Sequence, residues 1–527
     1  MRYHISRKSL MLYIVTVFWT ILLCIVAEIG IVATLSILVF ITTIYLIATE
    51  ILMRSSAALF GAVLILIIFF FVGISPIELT HKYVELDTIL ILFGIIIITS
   101  LGLRSGLFYF IGMKVAKASK GDPLPLYFIL AIFTYVLSIF LISVATIVVV
   151  VTLSLAICDI LKIDPRSYIL MEIFMVNVSS PATLISSVPN IIIAESVGLS
   201  YVFFIENLFP FTIFFFLLSL WMVFAISTPP FVVDMKRAVA ILEIDEWLFV
   251  KNKLEFYISV FCIGGLIVGF IASREFLIIA LIFAVIALAF SSSPEELIKD
   301  VDWDTLLFFI GFYIIVASLS ITGMLDMIAY ALVMLSGGNV FLLLTLLFWV
   351  SLIASGFIDN IPYVLVMVPI ISVVVSQEPF IRYAMVFWIC LILACNVGGG
   401  LNPYSAPQNL LGLSLAKKGK YPIATKEFYK ISIKWTILGG IVAYFYSLMF
   451  TIAPILIEQW GYVNFITVLT LGLLGLTVIC IHKAMGIRRF VKGIKYLIEI
   501  IAKKMSKERT KVLVNPNILV GSLEREF

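Results

Sequence analysis

Charge is what this chain has least of. Only 13% of its 527 residues are charged, and 63% are hydrophobic. Soluble domains are about one quarter charged, so composition excludes an ordinary water-soluble fold. Cysteine is sparse too. The six cysteines, Cys24, Cys158, Cys262, Cys390, Cys395 and Cys480, are scattered through apolar runs without CxxC spacing. That excludes a disulfide framework or thiolate metal site and leaves them as small hydrophobes. The three histidines, His4, His81 and His482, lie outside the hydrophobic runs, and no HExxH occurs. A histidine metal centre within the membrane is therefore not expected. The chain also lacks GxxxxGK[ST], so any ATP coupling needs a separate subunit. It has no GxGD aspartyl pair and no GxSG stretch. No enzyme class, no organic cofactor and no nucleic-acid partner is indicated.

What is present is a series of apolar runs of about 20 residues, the length that crosses a bilayer. They fall near 9–28, 30–50, 56–75, 86–104, 203–225, 254–271, 275–290, 304–323, 431–453 and 462–482. Four further stretches are longer or interrupted: 124–160, 168–198, 340–376 and 382–415. The N-terminal run has no small-x-small cleavage site and reads as a retained span. If 124–160 and 340–376 are re-entrant and 168–198 and 382–415 each cross once, the lysines and arginines sort by side, with Arg274 and Arg382 as the exceptions outside. Arg104, Lys114, Lys117, Lys120, Lys236, Arg237, Lys251 and Lys253 then share the cytoplasm with both termini, as the positive-inside rule requires. The reading is an all-α, multi-pass cell-membrane protein with about twelve crossings, N-terminus in and C-terminus in.

The chain also repeats itself. "ELDTILILFG" (85–94) resembles "DWDTLLFFIG" (302–311), and a shift of 217 residues takes Asp87 to Asp304, Gly94 to Gly311, Gly106 to Gly323, Ser138 to Ser355 and Phe140 to Phe357. A shift of 219 takes Asn177 to Asn396, Ser186 to Ser405 and Asn190 to Asn409. Each copy contains an odd number of crossings, so the second copy is expected upside down. The expected organisation is an N-terminal helix (1–29), repeat 1 (30–226), a cytoplasmic linker (227–253), repeat 2 (254–453), an extra C-terminal helix (454–484) and a basic amphipathic tail (485–527). The tail suits the anionic inner leaflet or, alternatively, simple solvation. Inverted repeats are typical of secondary transporters, whose sites lie where the copies meet.

The polar residues cluster at matching interruptions. Ser143 and Thr146 follow the first hairpin's tip, and "SGFIDNIPYVLVMVPI" (355–370) places Gly356, Asp359, Asn360 and Pro362 at the second. "NVSSPATLISSVPN" (177–190) and "NVGGGLNPYSAPQN" (396–409) break the other two segments with Pro181, Pro189, Pro403 and Pro407. Irregular backbone at this depth persists only where it is buried in protein or lines a cavity. The candidate ion- or substrate-binding residues are Asp359, Asn360, Ser143, Thr146, Asn177, Ser179, Ser180, Thr183, Asn190, Asn396, Gly398, Gly399, Asn402, Ser405 and Asn409. Their oxygens are hard ligands suited to Na⁺, with Asp359, Asn360, Gly399 and Asn402 expected to converge on it. No basic partner for Asp359 is identifiable, and capping of backbone amides is its alternative role. Glu172 is either a proton carrier or an interfacial carboxylate.

These motifs resemble the ion-transporter superfamily, which includes arsenite permeases, D-type sodium/proton antiporters, the P protein, and citrate and dicarboxylate carriers. "SGFIDNIPYVLVMVPI" is similar to the second hairpin motif of the antiporter and P-protein branch. "ATLISSVPNIIIA" (182–194) and "KKGKYPIATKEFYKI" (417–431) resemble the stretches after the first unwound loop and before the last core helix. Ile142 and Ser143 differ from the polar pair usual in the first hairpin, and Ser179 and Ser180 stand where paired glycines are usual. The resemblance implies a homodimer, a scaffold subdomain, and elevator-type movement of a transport subdomain. The expected function is secondary active transport. Cation (Na⁺)/proton antiport leads, and the alternative is Na⁺- or H⁺-coupled transport of a small anion, a citrate-like carboxylate or an arsenite-like oxyanion.

Overall fold

The computed structural model describes residues 7–49, 51–229 and 241–460. The expected span 462–482, the tail 485–527 and part of the linker lie outside the described residues. Within them the chain is helical and has no β-strand. Among the described residues, eleven helices are long and apolar enough to cross a membrane, or twelve if the bent pair Val188–Val197 and Tyr201–Asn207 is one span.

The interrupted stretches divide where their sequences break the helical pattern. Pro123–Phe140 and Ser143–Leu161 are joined through Leu141 and Ile142, and Val340–Phe357 and Asn360–Val375 through Ile358 and Asp359. The first limb of each pair is capped in the same way. Asp122 accepts from Leu124 N at 3.2 Å and Asn339 from Leu342 N at 3.1 Å, which satisfies amides that have no partner inside a helix. Arg166–Ser179 and Val188–Val197 flank one unwound loop, and Ala384–Gly398 and Pro407–Lys418 flank the other. Each second half begins with a proline in its first turn, Pro189 or Pro407, where the missing N–H costs nothing.

The two halves of the chain are interlocked. Arg54–Phe71 packs on Trp303–Ile321, and Leu86–Ser105 packs on Phe276–Phe290. Both contacts close over a glycine: a Cβ on Gly311 would stand 2.6 Å from Ala58 C, and one on Gly94 would stand 2.9 Å from Ala280 O. The second hairpin limb of each half packs on the second broken half-helix of the other, Ser143–Leu161 on Pro407–Lys418 and Asn360–Val375 on Val188–Val197.

Three features differ from expectation. Leu107–Lys117 and Met324–Leu335 are additional helices. Each follows a left-handed glycine, Gly106 (φ 84°) or Gly323 (φ 73°), a conformation that L side chains resist. The expected span 203–225 begins at Phe209, because Tyr201–Asn207 is a separate segment bent 115° from Val188–Val197. The expected loop at 454–461 is helical as far as Trp460, since Thr425–Trp460 is one 36-residue helix.

Candidate ion site at the hairpin tips

The unwound loops hold themselves in shape. Asn190 Nδ2 donates to Ser180 O and Thr183 O, both at 2.8 Å, and Ser186 Oγ lies 2.6 and 2.7 Å from the same carbonyls. In the second loop Asn409 Nδ2 donates to Gly399 O at 2.8 Å and Asn402 O at 3.1 Å, with Ser405 Oγ at 2.8 and 2.7 Å. These are the same bonds 219 residues later. Each carbonyl has two lone pairs, and both are used. The four asparagines then join the loops. Asn177 Nδ2 donates to Asn409 Oδ1 at 2.7 Å, and Asn396 Nδ2 donates to Asn190 Oδ1 at 3.0 Å. One difference remains: Gln408 donates to Asn177 Oδ1 at 3.1 Å, whereas Asn396 Oδ1 is buried without a partner. The residue matching Gln408 is Pro189, which has no donor to offer.

The first hairpin tip docks on its loop. Ser143 Oγ donates to Ser186 O at 2.7 Å and lies 3.2 Å from Ser180 Oγ, while Thr183 Oγ1 donates to Ile139 O at 2.7 Å. At the second tip Ser355 Oγ donates to Cys395 O at 2.8 Å, and Gly398 lies so close that an added Cβ would stand 2.4 Å from Leu352 O. Ser179 and Thr146 donate to carbonyls of their own helices. Asn360 is buried, with Nδ2 3.6 Å from where a Cβ on Gly399 would stand.

Asp359 faces elsewhere. Its Oδ1 caps Ile361 N at 3.1 Å, and its Oδ2 accepts from Arg54 Nη1 at 2.9 Å. Arg54 Nε also lies 3.5 Å from Asp304 Oδ2, and Asp304 Oδ1 accepts from Ser55 N at 3.2 Å and Ser55 Oγ at 2.5 Å. Asp359 therefore combines the capping role with an ion pair. The carboxylate's hydrogen bonds go to Ile361 N and Arg54 rather than to Asn360, Gly399, Asn402 or Ser405, the residues expected to converge on it, and Asn402 lines the same cavity. The asparagines beyond the tip are committed to one another.

This ion pair lies on the wall of a cavity of about 1080 Å³, bounded by both hairpin tips, Asn402 and Tyr404 of the second loop, and the starts of Arg54–Phe71 and Trp303–Ile321. The charged lining residues are Arg54, Asp300, Asp302, Asp304 and Asp359. Asp300 is engaged by Arg104. Carboxylates thus outnumber cations on the wall, and the cavity favours positive charge. Asn402 is fixed from outside the loop by Tyr429, whose hydroxyl donates to Oδ1 at 3.0 Å.

Sequence reasoning did not find Arg54. Its only local signal is an arginine opening an apolar helix, and the acidic residue near it in the chain is Glu50, not either of its partners.

Residues 44–388, well over half of the chain, match the family model described as citrate transporter. A 46 kDa membrane protein of Mycobacterium leprae is 29% identical over 430 residues, spanning 79% of this chain and 98% of that protein. An uncharacterized transporter of Mycobacterium tuberculosis is 29% identical over 383 residues, 70% of this chain and 87% of the relative. The P protein of Mus musculus is 23% identical over 497 residues, 77% of this chain and 58% of that longer protein. Among solved structures, the YdaH transporter of Alcanivorax borkumensis aligns at 11% identity with a TM-score of 0.48, covering 72% of this chain and 87% of that one. The chain is a multi-pass membrane transporter and belongs to the citrate transporter family.

Proposed function

We propose that this protein is a secondary active transporter that exchanges a monovalent cation, Na⁺, for protons, with Asp359 as the coupling carboxylate. The observation that carries the reading is the state of Asp359. It lies at a hairpin tip on the wall of an acid-lined cavity, and a guanidinium stands where a transported cation would stand. Asp359 belongs to the tip of the second hairpin and Arg54 to the helix that packs on Trp303–Ile321. If the hairpins and broken helices move as one body, that movement separates the pair and frees the carboxylate. Na⁺ and H⁺ then compete for one vacated position, the minimal chemistry of an antiporter.

Inverted repeats, elevator-type movement and a homodimer belong to the same proposal. With the N-terminus inside, Arg54, Arg104 and Asp300 lie on the cytoplasmic side, and the cavity is the inward-facing access path. Na⁺ and H⁺ are the coupling ions, and no organic cofactor is involved.

A second reading is favoured by Arg54 itself and by the family's description. Released from its two aspartates, Arg54 is a bidentate carboxylate ligand, and the cavity has room for a small di- or tricarboxylate. Flux into proteoliposomes separates the two readings. Under antiport, a Na⁺ gradient alone moves protons, reported by a pH-sensitive dye, with no organic substrate present. Under anion symport, protons stay still until citrate, a dicarboxylate or an oxyanion is added, and labelled anion accumulates.

A further inference from the structure

Glu172 is the most deeply buried carboxyl among the described residues, with no accessible surface. It lies in Arg166–Ser179, between the limbs of the first hairpin, away from the cavity that Asp359 lines. Ser154, on the second limb, donates to Oε1, and Oε2 has no partner. The hydroxyl of Tyr127, on the first limb, is also buried and unpartnered. No lysine, arginine or histidine among the described residues forms an ion pair with Glu172.

The surrounding elements supply no compensating charge. The hairpin limbs contribute Tyr127, Cys158, Tyr135, which bonds Thr212, and Asp159, which pairs with Lys162. Glu172's own helix contributes Tyr168, whose hydroxyl is committed to Pro123 O at 2.7 Å, and Arg166, which is paired with Asp164 and Glu427. Phe209–Ile226, which packs on the same helix, has no titratable residue, and Ala384–Gly398 brings only Cys390 and Cys395. Pro407–Lys418 has its lysines in the last turn. An ionised carboxylate here would be an unpaired charge in an apolar bundle. A neutral acid forgoes at most one hydrogen bond, which is much the smaller cost.

We propose that Glu172, with Ser154 and Tyr127, forms a proton-binding site inside the hairpin bundle, separate from Asp359. One proton from water converts the carboxylate to the neutral acid. Ser154 holds its carbonyl oxygen, and the acid hydroxyl stays inside the bundle that also encloses the unpartnered Tyr127 hydroxyl. The protein thus binds a proton additional to any exchanged at the hairpin tip.

Infrared difference spectroscopy of the full chain in lipid at neutral pH tests this, reading the C=O stretch of a protonated carboxyl. The band is expected in the wild type, lost in Glu172→Gln and retained in Asp359→Asn. Absence of the band from the wild type, or its persistence in Glu172→Gln, overturns the proposal. If Glu172→Gln does not fold, Ser154→Ala serves instead. Freeing the acid carbonyl from its donor moves the band to higher frequency, and an unmoved band overturns the assignment. The readout requires no transport, so failure of the antiport reading leaves it unaffected, and the converse also holds.

Discussion

Arg54 Nη1 stands 2.9 Å from Asp359 Oδ2 although 305 residues separate them in the chain. The pair is partly buried, with side-chain exposures of 31% and 12%. It joins a helix start in the first half to a hairpin tip in the second. Asp304 steadies the guanidinium from the other side. A cation that binds this carboxylate must displace Arg54 or wait until it leaves.

The two members of the pair are therefore expected to behave oppositely. Asp359→Asn keeps the shape and the helix cap but removes the charge, and Na⁺-dependent proton movement in proteoliposomes should fall to background. Arg54→Gln removes the competitor. A partly buried ion pair contributes about 1 kcal/mol, so the apparent KM for Na⁺ should fall roughly fivefold. An Asp359→Asn protein that transports with an unchanged Na⁺ dependence would reduce this carboxylate to a cap.

Matched asparagines should cost matched amounts. Asn190→Ala and Asn409→Ala each remove two bonds to loop carbonyls and one to an asparagine of the other half. Each should lower stability by about 2–4 kcal/mol, seen as a lower midpoint of thermal unfolding in detergent. A double-mutant cycle on Asn177 and Asn409 should show coupling, and strict additivity would mean their contact contributes nothing.

Adjacent glycines should separate by contact distance. Gly398→Ala places a methyl 2.4 Å from Leu352 O, on backbone that cannot turn aside, and should destabilise the second hairpin. Gly399→Ala meets nothing nearer than 3.4 Å and should fold normally. Comparing expression and melting of the two variants checks this, and equal melting of the two would remove the argument.

Orientation can be read by labelling. With the N-terminus inside, a cysteine at Lys420 should react with an impermeant maleimide only from the cytoplasm, and one at Glu78 only from outside. Labelling of both from one face would overturn the inverted arrangement.

The helix breaks were legible because each is a local conflict. Pro181, Pro189, Pro403, Pro407 and the glycines of 398–400 interrupt apolar runs too long for one crossing. The matching of Gly106 with Gly323 was also legible, and both proved to be left-handed turns into a further helix. The partner of Asp359 was not. An arginine at a span's start has many ordinary reasons to be there, and no local pattern points across 305 residues. Nor was the fate of Glu172. A carboxylate about two turns into a broken helix is interfacial or buried according to what packs around it, and here several other helices do so. The loop asparagines were found as polar residues, but their exchange across the two halves depends on tertiary contact.

That exchange bears on how the protein is made. Asn190 stands at the start of the helix that follows the first loop, and the amide that bonds its Oδ1, from Asn396, emerges from the ribosome 206 residues later. Until then the loop has its own bonds from Ser186 and Asn190, but Asn190 Oδ1 lacks the donor from the other half. The bond that ties this loop to the second half can form only after Asn396 has been made and inserted. Two separately expressed fragments, divided between residues 229 and 241, would each lack what the other supplies and should accumulate only when both are present in the same membrane.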